Sequence, residues 1–131
     1  MANIPVGAKR EQTILVTGEV SIDFLGLEGA RVLSTPHMIG FMEYNCRNLL
    51  MEFLEKGLDS VGTNVNISHL AAAPIGSTAT FSAEVLEVND RRVKFRVEAF
   101  DEKEKIGEGT HERAIINVEK FAARLAAKRA Q

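Results

Sequence analysis

The sequence predicts an α+β fold in which an antiparallel sheet curls around one long helix. Three observations carry that expectation. A helical apolar period runs for about twenty residues after Ser34-Thr35-Pro36. Alternating strand patterns joined by short turns then occupy the stretch from Val61 to about Asn117. One more strand-like run, Thr13-Ile14-Leu15-Val16-Thr17, precedes the helix. A helix with one apolar stripe and a sheet with one apolar face cover each other's greasy sides when the sheet wraps the helix.

Each element has its own signal. Gln12 to Thr17 reads as the first strand. Ser21 to Ser34 is irregular, with Gly26 and Gly29 bracketing Leu27 and Glu28; its length suits a lid as well as a plain connector. Ser34-Thr35-Pro36 supplies a hydroxyl for an orphan N–H and then a ring preset to helical φ. From there to about Lys56, Ile39, Cys46, Leu50, Phe53 and Leu54 share one face, with Asn45, Asn48, Glu52, Glu55 and Lys56 opposite. Gly57 is the expected stop. Val61, Thr63, Val65, Ile67 and His69 then alternate with Gly62, Asn64, Asn66 and Ser68. A turn around Pro74 follows. Thr78–Glu87 and Arg92–Phe100 form a hairpin through Asn89-Asp90. In the second of these strands Val93, Phe95, Val97 and Ala99 mark the buried face. Asp101 to Lys105 is a charged turn, Ile106–Asn117 the last strand, and Val118–Arg129 a closing helix with Val118, Phe121 and Leu125 inward. This order describes a hot-dog fold, read as a single domain over residues 1–131.

Composition narrows the function. The chain has 131 residues, 16 basic and 18 acidic, for a formal charge of -2. No broad basic field invites nucleic acid. The lone cysteine, Cys46, excludes an internal disulfide framework and a paired-cysteine metal site. No apolar run is long enough for a bilayer, and the polar start Met1 to Gln12 lacks a signal-peptide core. The expected setting is the cytoplasm, with no membrane partner.

Three residues stand out against the apolar pattern. Glu43 falls within about 60° of Ile39, Cys46, Leu50 and Leu54 on a helical projection. A carboxylate there needs a polar partner. Arg47, one turn on, could supply it; a carboxylate poised beside a cleft is the other reading. His69 lies on the strand face read as covering the helix, so an acid and an imidazole come from facing elements, a pattern typical of sites. Thr35 suits a helix N-cap, yet it also stands where unpaired N–H groups and the positive dipole end meet a developing oxyanion. Gly62 would let a backbone N–H approach a ligand unobstructed. His37 reads as exposed and Cys46 as inert packing. The Gly107-x-Gly109-Thr110-His111-Glu112-Arg113 string lacks the following helix of a nucleotide loop, so its glycines read as bulge or close-packing residues. The basic C-terminal helix (Lys120, Arg124, Lys128, Arg129) reads as a solvated face.

At these residues the chain resembles the hot-dog thioesterases of the fluoroacetyl-CoA thioesterase-like group, over nearly its whole length. The matching stretches are Ser34-Thr35-Pro36 with Met42-Glu43 following, Val61-Gly62-Thr63 leading to Ser68-His69, Ala73-Pro74-Ile75-Gly76, Asp90-Arg91-Arg92, and Ile106 to Arg113. The resemblance implies Thr35, Glu43 and His69 as the active-site set, with the Gly62 backbone amide and Pro36 as substrate-binding positions. It implies a homodimer or higher homo-oligomer whose sheets join edge to edge, with acyl-CoA near the subunit interface. It implies no metal or redox cofactor, coenzyme A entering only as part of the substrate. The chain departs from the fluoroacetyl-specific members at their aromatic gate shortly before the threonine. Glu28, Gly29, Ala30 and Arg31 occupy that region, and Phe24 lies farther back, which points to a general, short-chain acyl-CoA substrate.

The expected chemistry is hydrolysis of an acyl-CoA thioester to acid and CoA, with Glu43 as general base or as nucleophile. The alternatives are a non-catalytic acyl-CoA or lipid-binding module and an acyl-thioester hydratase. The hydratase pattern, an aspartate and a histidine close together before the helix, is not met by Asp23 and His37.

Overall fold

A computed structural model describes residues 3–131; Met1 and Ala2, at the head of the polar start, lie outside the described residues. Strand β1 (Lys9–Leu15) leads through two short 3-10 turns into helix α1 (Thr35–Met51). Strands β2 (Leu58–His69), β3 (Thr78–Asn89), β4 (Arg92–Phe100) and β5 (Lys105–Asn117) follow, and helix α2 (Val118–Arg129) closes the chain. The strands form one antiparallel sheet in the order β1-β3-β4-β5-β2. Helix α1 packs across it and touches all five strands. This is the α+β hot-dog arrangement that the patterns describe.

The core lies between α1 and the inner sheet face. Val93, Phe95, Val97 and Ala99 are all buried, as the alternation in β4 requires, and Phe81, Ala83 and Val85 of β3 meet them. Asp90 takes a positive φ of 56° at the β3–β4 turn, a conformation aspartate tolerates by bonding its own backbone. In the charged turn, Asp101 Oδ1 accepts from the Lys103 and Glu104 amides.

Helix α1 differs from its expected outline in two ways. It ends at Met51, not near Lys56, because the chain tightens there: the Glu52 and Phe53 amides bond back to Leu49 and Leu50. Phe53 and Leu54 still pack on the core from this turn, which is why they mimicked a longer helix. Gly57, at φ 93°, turns the chain into β2 rather than capping α1. The buried stripe is also rotated. It consists of Met38, Met42, Asn45, Cys46, Leu49 and Leu50, so Asn45 is inside rather than outside. Its amide donates to the Arg10 and Phe81 carbonyls, and Arg10 Nη1 donates to its oxygen at 2.6 Å. A fully paired amide can be buried where an unpaired one could not.

Two further expectations change. Strand β1 starts earlier and ends at Leu15. Helix α2 buries none of its residues: Val118 and Leu125 are nearly half exposed, and only Phe121 is partly covered.

Strand β2 decides what reaches the site. Its pairing with β5 slips between Gly62 and Asn64, leaving Thr63 as an extra residue. A bulge of this kind inverts the alternation. Ser60 and Gly62 therefore face α1 before the bulge, and Ile67 and His69 do so after it. Val61 sits on the other face from His69, contrary to the simple alternation.

Candidate active site

The start of α1 builds one half of the site. Ser34, not Thr35, is the N-cap: its Oγ accepts from the His37 amide at 3.2 Å. That releases the Thr35 hydroxyl, which lies 2.7 Å from His69 Nδ1. Pro36 occupies the first helical turn beside it and is exposed. The other ring nitrogen, His69 Nε2, is buried with no hydrogen-bond partner among the described residues. An orphaned buried imidazole nitrogen is costly unless something else meets it. His69 lines a cavity of about 410 Å³ together with Ile22, Phe24, Leu33, Thr35 and Leu70, among others. The segment before α1 is thus the wall of this cavity. It is pinned at its base by Arg31, whose guanidinium donates to the Ile22 and Gly18 carbonyls. Phe24, distant from Thr35 in sequence, comes to the same cavity.

Burial pushes the His69 pKa below the ordinary 6.5, opposed in part by the nearby Ala71 backbone. The ring is therefore neutral at pH 7. The unfolded chain binds this proton near pH 6.5 and the folded chain only below it, so between the two values the unfolded state holds more protons and stability rises with pH. Acidification from pH 6.5 is expected to lower the melting temperature, and His69→Gln to flatten that dependence. An unchanged slope in the variant would show that the ring is not desolvated.

The middle of α1 builds the other half. Glu43 stands at the margin of the buried stripe with its side chain 37% exposed. Neither carboxylate oxygen has a hydrogen bond among the described residues. The expected Glu43–Arg47 pair is not formed: Arg47 makes two bonds to Asp59, at 2.9 and 2.6 Å. The cation facing Glu43 is Arg113 of β5, with Nη1 3.9 Å from Oε2. Arg113 is buried and held by Ser60, through Oγ at 2.7 Å and the carbonyl at 2.8 Å. Burial pushes its pKa down, so the neighbouring acids matter to its charge. Glu43, Gly40, Tyr44, Arg47 and Arg113 line a second cavity of about 350 Å³.

Gly62 closes this half. A methyl group there would stand 2.9 Å from Glu43 Oε2 and 3.2 Å from His111 Cε1. Gly62→Ala is expected to fold normally, since the carboxylate end can swing, while turnover falls about 10-fold or more through misplacement of Glu43. Wild-type turnover in that variant would remove Gly62 from the site. Cys46, packed in the core, has its thiol pushed up to about 12 by burial and is inert. His37 is exposed, as expected.

The five expected site residues thus fall into two groups. Thr35, Pro36 and His69 surround one cavity, and Glu43 and Gly62 adjoin the other; within one chain the acid and the imidazole do not share a cavity. Arg113 was missed by sequence reasoning, although its signal was present: His111, Arg113 and Ile115 alternate on the inner face of β5, and two of the three are ionisable.

A family model for fluoroacetyl-CoA-specific thioesterases matches residues 16–119. The chain belongs to this family. It is 44% identical over 101 residues to the fluoroacetyl-CoA thioesterase of Streptantibioticus cattleyicolor, covering 77% of this chain and 73% of that one. A solved structure of a fluoroacetyl-CoA thioesterase superposes with a TM-score of 0.87 at 36% identity, covering 96% of this chain and 98% of its own. A hot-dog-like protein of Thermanaerovibrio acidaminovorans shares the fold at a TM-score of 0.87 and 24% identity, over 95% and 93% of the two chains. Thr35, Pro36, Glu43, Gly62 and His69 all lie within the segment matched by the fluoroacetyl-CoA-specific thioesterase family model. No helix among the described residues is long and apolar enough to cross a membrane.

Proposed function

We propose that this chain, acting as one hot-dog domain in a cytoplasmic homodimer, hydrolyses short-chain acyl-CoA thioesters to the free acid and coenzyme A. The hydrolase class follows from family membership. The observation that carries the chemistry is the Thr35–His69 pair, in which a hydroxyl not needed for capping meets an imidazole whose second nitrogen is unpartnered and buried.

The two halves of the site come together between subunits. Thr35 and Glu43 are eight residues apart on α1, about 12 Å along its axis. Gly62 and His69 are separated by roughly 20 Å of strand. One thioester carbonyl cannot touch both halves of one chain. Strand β2 is a sheet edge, exposed from Gly62 to Asn66, and pairing it with its copy extends the sheet while bringing the second half from the partner.

In that composite site the thioester oxygen lies against the α1 N-terminus and the Gly62 amide, which stabilise negative charge as it develops. Glu43 takes a proton from a water that adds to the carbonyl carbon, or attacks that carbon itself to form an anhydride that water then hydrolyses to the free acid. The C–S bond breaks, and His69, neutral at rest, takes up a proton released from the attacking water and passes it to the departing CoA thiolate. Thr35 orients the imidazole and the substrate. The apolar wall of Ile22, Phe24, Val32 and Leu33 suits a small acyl group. This route uses the chain's own side chains and backbone amides and takes coenzyme A only as part of the substrate.

Mixing two inactive variants tests the arrangement. Glu43→Gln and His69→Gln chains, unfolded and refolded together, are expected to recover about a quarter of wild-type thiol release, since half the dimers are mixed and each has one intact site. No recovery from a mixture shown to contain mixed dimers would place the whole site within one chain. Tight acyl-CoA binding by the wild-type chain without thiol release from any acyl-CoA would identify a binding module instead.

A further inference from the structure

We infer that His111 is a positioning residue that joins the β2 bulge to the cation facing Glu43, a role that rests on Glu43 being the reactive carboxylate. His111 is fully buried, although it is ionisable and touches no cavity of the site. Both of its ring nitrogens are engaged. Nδ1 lies 2.8 Å from the Asn64 carbonyl oxygen, and Nε2 lies 3.2 Å from Arg113 Nη1. These partners dictate the tautomer. A carbonyl only accepts, so Nδ1 carries the proton; a guanidinium only donates, so Nε2 presents its lone pair. The ring is neutral for the same reason, and burial pushes its pKa below 6.5. Phe95 stacks alongside at 6.3 Å between ring centres and fixes the ring plane.

The consequence lies at both ends of the ring. Asn64 is the residue at which pairing resumes after the extra Thr63, so the Nδ1–H bond ties down the segment that presents Gly62. At the other end, the Nε2 lone pair takes one Nη1 hydrogen of Arg113. With Ser60 holding Nε and Nη2, the guanidinium cannot rotate away from Glu43. Orienting groups of this kind change activity through the residue they hold, not through the substrate.

The test combines a spectrum and a variant cycle. Nitrogen-15 spectra of the histidine rings in the wild-type protein at pH 7 are expected to show His111 as a neutral Nδ1–H tautomer. An Nε2–H tautomer or an imidazolium overturns the inference without recourse to activity. His111→Phe, which keeps the stacking and loses both bonds, is expected to lower kcat about 10-fold or more with KM nearly unchanged. His111→Gln, whose amide offers one donor and one acceptor, should restore most of it. In an Arg113→Met background, His111→Phe should cost clearly less than it does in the wild type, because one of the two contacts through which it acts is already gone. Full additivity of the two changes, or wild-type kcat in His111→Phe, overturns the inference. If His111→Phe does not fold, the tautomer and the His111→Gln kinetics still decide. Wild-type activity in Glu43→Gln would instead sink the catalytic reading while leaving the tautomer as stated.

Discussion

Glu43→Gln is expected to lower acyl-CoA hydrolysis by roughly 10³-fold, equal to about 4 kcal/mol of transition-state stabilisation. The amide matches the carboxylate in shape but can neither take a proton from water at neutral pH nor attack a carbonyl. The site explains why so little else should change. Glu43 is more than a third exposed and makes no hydrogen bond among the described residues. Its contact with Arg113, at 3.9 Å, is an electrostatic approach rather than a bond. Arg113 keeps its Ser60 and His111 partners in the variant. Loss of activity should therefore come with a melting temperature within a few degrees of wild type and with acyl-CoA affinity largely intact. Following CoA release with a thiol-reactive dye over a panel of acyl-CoAs, with circular dichroism as the folding control, makes the check. Residual turnover above a tenth of wild type would mean that the carboxylate is neither base nor nucleophile.

The largest effect on stability is expected from Gly109→Ala. Gly109 sits in β5 between Ile67 of β2 and Val97 of β4. A methyl group added there would overlap the Asn66 carbonyl oxygen and come within 2.7 Å of Ile67 Cα. Both obstacles are backbone, so no side chain can swing aside; the β2–β5 pairing has to open. The cost is about 3–5 kcal/mol, in the range of the severest single substitutions. For a chain of this size that is a fall of about 10 °C or more in melting temperature. A shift below about 3 °C would show that the two strands are not so closely apposed. Because the same pairing holds the bulge below Gly62, activity measured well below the melting point should fall too. At Gly107 the nearest obstacle is the Met38 thioether, at 2.7 Å; a flexible side chain can move, so Gly107→Ala should be milder.

Glu43 and His69 show how the sequence and the fold divided the work. Glu43 was conspicuous because a carboxylate stood close to an apolar helical stripe, and His69 because an imidazole stood among β-branched residues on a strand. Both anomalies are visible in one dimension, since periodicity assigns a face without knowing what lies opposite. The strand boundaries of β4, the closing helix and the hairpin at Asp90 were legible for the same reason, each being set by local backbone preference. The buried stripe of α1 was read less well. Methionine and asparagine are weak markers of burial, and Asn45 is inside only because Arg10 and the Phe81 carbonyl, far off in sequence, satisfy its amide.

What the sequence by itself determined is the order of elements and the residue types at the candidate site positions, because these rest on periodicity, capping and turn chemistry within a few neighbours. The tertiary structure decided which of those residues meet. It gave the cap to Ser34 and so freed Thr35 for His69; it slipped β2 by one residue at Thr63 and so turned Gly62 toward Glu43; it set Arg113 rather than Arg47 beside the carboxylate. Each of those outcomes depends on groups brought close across the sheet, and a bulge or a long-range ion pair has no period along the chain.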